Sequence, residues 1–165
     1  MTELVLWLLE TGPAALRASN PAGHVTASAW IVDRTGQFAL LTHHAKLGAW
    51  FQPGGHVEDS DASVADAAAR EAREECGIEA VHHDASRIFD VDVHLIPARG
   101  GMPAHHHHDV RYLLAADREA PLVPTSESRQ LSWIPLARVV DFNPSESIAR
   151  MVRKSLQRAS SSVIE

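Results

Sequence analysis

Pro53-Gly54-Gly55-His56-Val57-Glu58-Asp59-Ser60-Asp61, followed by Arg70-Glu71-Ala72-Arg73-Glu74-Glu75-Cys76-Gly77-Ile78, is the stretch on which the reading of this chain turns. The second segment falls in a predicted helix over residues 62–78. Glu71, Glu74 and Glu75 stand at i, i+3 and i+4, and at about 100° per residue they share roughly one 100° arc. Three carboxylates on one arc repel, whereas an ordinary surface helix interleaves them with Lys or Arg. A divalent cation removes the repulsion, and an all-oxygen ligand set suits Mg²⁺ or Mn²⁺. Ala65, Ala69, Ala72 and Cys76 form a small apolar stripe that lets the helix lie close against a sheet, with Asp66, Arg70 and Arg73 on a third side. Gly77 stands where a left-handed cap is wanted.

These residues resemble the Nudix hydrolase signature, G-x5-E-x7-R-E-U-x-E-E-x-G-U with U aliphatic. Gly55, Arg70, Glu71, Glu74, Glu75, Gly77 and Ile78 match it. Asp61 replaces the first glutamate, and eight residues rather than seven separate it from Arg70, so one residue is inserted in the loop. Ala72 is smaller than the usual aliphatic residue. The resemblance extends loosely over residues 24–140 and implies an α/β fold, a Nudix-like α/β/α sandwich with a mixed β-sheet. It also implies that the Gly54 carbonyl is a metal ligand beside Glu74 and Glu75, which would hold Mg²⁺ or Mn²⁺ against a substrate diphosphate. Glu71 then deprotonates or orients the attacking water, or ligates a second ion. Arg70, four residues before Glu74, is close enough to hold that carboxylate in place. The expected activity is Mg²⁺-dependent hydrolysis of a diphosphate bond in a nucleoside diphosphate joined to another group.

Two rival readings come from other classes. The Asp61 substitution and the loop insertion favour a non-catalytic sensor that binds a nucleotide or a metal, while the intact Arg-Glu-x-x-Glu-Glu opposes it. An enzyme like isopentenyl diphosphate isomerase shares the fold and uses histidine ligands, but it needs a cysteine in the site. Cys76, the only one here, falls on the apolar stripe.

At 165 residues the chain fits one domain, 1–165, with an N-terminal helical extension over 1–20 and a C-terminal helix over about 144–158. Hydrophobic content of 45% and charged content of 22% are near the globular average, which excludes disorder and a coiled coil. A net charge of −6 argues against a nucleic-acid polymer as partner. An acidic enzyme still binds a phosphate ester when a metal supplies the positive charge. The apolar run 4–9 lacks a basic leader and is far short of the roughly 20 residues of a membrane span, so a cytoplasmic protein without a membrane partner is expected. A homodimer is left open.

Along the chain, a short helix over 2–10 stops at Gly12-Pro13. Residues 24–32 and 37–43 form a hairpin around the turn at 33–36. Trp50-Phe51-Gln52 leads into the Pro-Gly-Gly turn, where glycine lets carbonyls approach a ligand. After the glutamate helix, strands over 88–96 and 105–115 flank a loop at 97–103. If they pair as a hairpin, Asp92 lies near Asp109 and Asp90 near Arg111. A last strand covers 128–133, and a short helix covers 135–140.

Glu127, before that last strand, is either a further acid of the site or an exposed loop residue. The four histidines 105–108 are split by strand alternation, so His105 and His107 share a face with Asp109 and Arg111. With His94, Asp92 and His56 they make either a polar pocket contacting substrate or a second transition metal, or simply a hydrogen-bonded polar strand face. Trp30, Trp50, Phe51 and Tyr112 serve stacking on a base or core packing. His43, His44 and Lys46 reach a substrate phosphate or stay exposed.

Overall fold

Strand alternation sorts the apolar side chains into two cores on opposite faces of one sheet. The computed structural model describes residues 2–82, 84–126 and 128–161. At its centre is β1 (Gly23–Asp33), buried along its whole length. Val25, Ala27, Ala29 and Ile31 of β1 enter one core, and Trp30 and Val32 enter the other. This period-2 partition is what a strand covered on both faces requires.

The sheet is mixed, as expected. It comprises β1, β2 (Phe38–His44), β3 (Trp50–Phe51), β4 (Gly54–His56), β5 (Val81–His82), β6 (Asp90–Ile96), β7 (His105–Ala116) and β8 (Ser128–Pro135). β1 pairs parallel with β7 from Gly23↔His106 to Asp33↔Ala116, while the other pairings are antiparallel. β6 and β7 form the anticipated hairpin, with Asp92 opposite Asp109 and Asp90 opposite Arg111.

Helix α2 (Val64–Cys76) covers the first face with Ala65, Ala67, Ala68, Ala72 and Cys76. It begins two residues later than predicted, because the Ser63 hydroxyl caps it by accepting from the Asp66 N–H. Gly77 ends it in the left-handed conformation at φ 68°. On the second face, α3 (Val139–Phe142) and α4 (Glu146–Ser161) bring Val139, Ile148, Met151 and Val152. The N-terminal helix α1 (Thr2–Thr11) runs into a 3₁₀ turn, Gly12–Leu16, where a stop was expected. It adds Leu4 to the first core and stacks Trp7 on His108 with ring centroids 3.8 Å apart. Among the described residues no helix is long and apolar enough to cross a membrane.

Gly54-Gly55-His56, predicted as a turn, is instead the short strand β4, with Thr26 opposite His56 and Ser28 opposite Gly54. Alternation then points each residue of β4 differently. A Cβ on Gly55 would lie 2.5 Å from Glu71 Oε1 on the α2 face, and one on Gly54 would collide with the Ser28 hydroxyl on the other. Gly54, hemmed in by the Ala27 carbonyl and Ser28 Cα, therefore excludes a side chain, and a side chain at Gly55 would displace the Glu71 carboxylate.

Candidate active site

Arg70 organises the glutamate helix. Its guanidinium donates to both Asp61 oxygens at 3.0 Å, to Glu71 Oε1 at 2.9 Å and to Glu74 Oε2 at 3.0 Å. It also donates to the His56 carbonyl at 2.8 Å, which ties β4 to α2. The arginine thus sits within the acidic arc, not on the separate side that helical spacing assigned it. Asp61 in turn accepts from the Glu58 N–H at 2.8 Å and has a nearly buried carboxylate. The bidentate pair with Arg70 holds the Asp61 carboxyl below its ordinary range. The altered, lengthened loop therefore still delivers an acid to the helix.

Around this guanidinium lies an open cavity of about 370 Å³ lined by Gly54, Gly55, His56, Glu58, Arg70, Glu71, Glu74, Glu75 and Thr125. Glu75 accepts weakly from the Gly54 N–H at 3.3 Å, which places Gly54 beside the acidic cluster. Glu71 is far less exposed than Glu58 or Glu74, packed where Gly55 leaves no Cβ. Burial pushes its carboxyl above the ordinary glutamate value, with Arg70 pulling the other way. Glu58, Asp61, Glu71 and Glu74 all lie within ion-pair distance of Arg70, so one cation answers four acids. That surplus, with oxygen donors only, fits a hard divalent cation. Glu127 lies outside the described residues.

The residues of the hairpin fall into two groups. Asp109 and Arg111 are buried and committed to internal bonds. Asp109 accepts from Thr26 (3.1 Å), Ser28 (2.8 Å) and Arg111 (2.7 Å). Arg111 donates also to Asp90 and to the Ser147 hydroxyl, while Arg150 joins Asp90 to Asp92 and Lys154 binds Asp90. Asp92 lies 3.4 Å from His94 Nδ1, and its carboxyl is held well below its usual range, by His94 first and then by Arg111 and Arg150. This network staples α4 to β6 and β7, which removes Asp109 and Arg111 from an open polar pocket.

His56 and His107 do come together, and with them comes His24, which was read only as part of a buried strand. His107 packs 4.6 Å from His24, 5.2 Å from His105 and 5.6 Å from His94, ring to ring. His105 is fixed by Nδ1 at 2.9 Å from the Pro103 carbonyl. Burial, then the neighbouring imidazoles, lowers His24 to about 4 and His107 to about 3. The group lies on the sheet face opposite α2, not beside the metal helix, and His56 is its link to Arg70. The signal for His24 was its place on one strand face with Thr26 and Ser28, but its partners are set by a parallel pairing that no local pattern encodes.

Other candidates resolve into packing. Trp30 is fully buried, with Nε1 donating to Ser155 at 2.8 Å, and Tyr112 lines the first core. Trp50 meets Phe142 edge to face and its carbonyl accepts from Asn143. Cys76 is buried under α2, where burial raises its thiol to about 12, so it cannot serve the isomerase chemistry.

The fold has close parallels among solved structures. An Ap4A hydrolase from C. elegans superposes with a TM-score of 0.66 at 18% identity, over 83% of this chain and 98% of the other. A hydrolase of the NUDIX family from Clostridium perfringens gives 0.61 at 22% identity, over 80% and 95%. The dihydroneopterin triphosphate pyrophosphohydrolase of E. coli gives 0.60 at 17%, over 82% and 94%. No match is found among curated proteins. The profile of the NUDIX domain matches residues 22–154, the span that contains the sheet, the Arg70 cluster and most of α4, and the chain belongs to that family.

Proposed function

We infer that the protein is a divalent-metal-dependent hydrolase of phosphoric anhydride bonds, acting on a nucleoside diphosphate joined to a second group. The observation that carries this is Arg70, bonded at once to Asp61, Glu71, Glu74 and the His56 carbonyl at the mouth of an acidic cavity. Glu74, Glu75 and the Gly54 carbonyl are the groups that would hold Mg²⁺ or Mn²⁺. When bound, such an ion neutralises phosphate charge and lowers the pKa of a coordinated water.

The chain's own residues do the rest. Arg70 fixes Oε1 of Glu71, so Oε2 is the atom left to take a proton from water, or to orient it. Its half-buried position makes Glu71 a stronger base than an exposed glutamate. Gly54 and Gly55 keep the floor of the cavity free of side chains, so a diphosphate can approach backbone. The bidentate Asp61–Arg70 pair supports hydrolysis over the sensor reading, because the altered loop still supplies an acid beside the helix. The structural neighbours, an Ap4A hydrolase and a dihydroneopterin triphosphate pyrophosphohydrolase, are named for reactions of the same class.

The test is formation of the cleavage products, a nucleoside monophosphate and the phosphorylated second group resolved by chromatography, with Mg²⁺ over nucleotide sugars, dinucleoside polyphosphates, NADH, CoA and nucleoside triphosphates. A nucleoside diphosphate derivative is expected as the best substrate, and the Glu74→Gln/Glu75→Gln protein is expected to be inert on it. Equal turnover by that double variant sinks the proposal.

A further inference from the structure

A cluster of histidines lies across β4 from the glutamates. His24, His56 and His107 each offer a ring nitrogen, and these three atoms lie within 4.8 Å of one another. They come from three strands, β1, β4 and β7, that the sheet holds in fixed register. His24 is 1% exposed, yet neither of its ring nitrogens has a hydrogen-bond partner. The Asn20 backbone raises the His24 pKa against the larger effects of burial and the neighbouring imidazoles, but it lies outside hydrogen-bonding geometry. A buried polar group left unpaired costs about 1–3 kcal/mol, so such a residue calls for a ligand.

We propose that His24, His56 and His107 bind a divalent transition-metal ion of the Zn²⁺ class. Imidazole suits Zn²⁺ and its neighbours and is a poor donor for Mg²⁺, so the ion differs in kind from that of the glutamate helix. Tetrahedral coordination with Zn–N distances near 2.0–2.1 Å brings ligand nitrogens to about 3.4 Å from one another. Rotation of His56 and His107, neither of them fully buried, closes the difference. Three protein ligands leave a fourth position open, the arrangement that admits water or a substrate oxygen. His56 is exposed, so the trio can be reached from solvent.

The His56 residue also gives the ion a positioning role. Its carbonyl accepts from Arg70 while its ring belongs to the trio, so an ion on the ring pins the strand that Arg70 grips. This inference does not depend on the proposed hydrolysis, because its readout is metal content.

The experiment uses untagged, full-length protein stripped with a chelator and titrated with Co²⁺ in excess Mg²⁺. One equivalent of Co²⁺ with the strong visible bands of tetrahedral nitrogen coordination is expected, displaced by Zn²⁺. The Glu74→Gln/Glu75→Gln protein should bind it unchanged. His56→Ala, which removes an exposed side chain and spares both cores, should bind at least 100-fold more weakly, and His107→Gln likewise. Zn²⁺ should raise the Tm of the parent and leave that of His56→Ala where it was. The proposal is overturned if the parent binds no Co²⁺, if His56→Ala binds as tightly as the parent, or if the glutamate variant loses the ion.

Discussion

Two arginine–carboxylate clusters, on opposite faces of the same sheet, do opposite jobs with the same functional groups. Around Arg111, the acids Asp90, Asp92 and Asp109 meet Arg111, Arg150 and Lys154 on nearly equal terms, and the Arg111 side chain is 4% exposed. Around Arg70, four carboxylates share one cation at the edge of an open cavity. A balanced, buried set spends its charge internally and fixes α4 to the sheet. An unbalanced, accessible one keeps an affinity for more positive charge. Composition does not separate the two; the ratio of charges and the access of solvent do.

Substitutions break this contrast at different points. The largest effect is expected from Glu71→Gln, which removes the base and preserves shape: kcat should fall by about 10²–10⁴-fold with the melting temperature unchanged. A rate within threefold of the parent would show that Glu71 is only a buried neighbour of Arg70. Asp90→Ala should do the reverse. It strands Arg111, Arg150 and Lys154 without their common acceptor, so denaturant unfolding should show a loss of about 3–5 kcal/mol. Residual folded enzyme should keep its KM. Asp61→Ala tests whether the loop acid positions Arg70, with an expected loss of about 10–100-fold in kcat/KM for the metal-loaded enzyme. Full activity there would detach the loop from the site.

The mildest expectation concerns pH. His24 and His107 titrate at about 4 and about 3 in the fold, against 6.5 when free. The unfolded chain therefore takes up protons that the folded chain refuses. Above pH 7 these groups leave stability flat, and it declines as pH falls from 6.5 toward 4. Below that, the depressed carboxyls Asp61, Asp90 and Asp92 add their own losses as they protonate. Thermal melts of metal-free protein between pH 7 and 5 should show the decline, and His24→Gln should flatten it.

The helix and its acidic arc were legible because their information is local. The i, i+3, i+4 spacing and the Gly77 cap lie within one helix and its end, where side-chain period and cap chemistry decide the outcome, whereas Gly54-Gly55 reads as a turn and is a strand because its partner β1 is remote in sequence. The β6–β7 register was readable too, since one loop joins strands of clear alternation. Other features were not. Arg70 turns into the acidic arc because Asp61 and the His56 carbonyl meet it there, and neither is visible in helical spacing. Asp109 and Arg111 looked like site residues because a polar strand face reads the same whether water or α4 covers it. His24 escaped notice because its neighbours come from β4 and β7.

The β1–β7 pairing carries a consequence for the order in which the protein is made. Thr26 and Asp109 bond across 83 residues of sequence, whereas Arg70 reaches Asp61 across only 9. A contact of the first kind waits for loop closure over most of the chain and is slow; one of the second kind can form as soon as its helix does. On a ribosome, the glutamate helix and its loop can take shape while β7 is still being synthesised. The face that gathers His24, His56 and His107 exists only after the parallel seam has zipped, which makes it a late marker of completed folding.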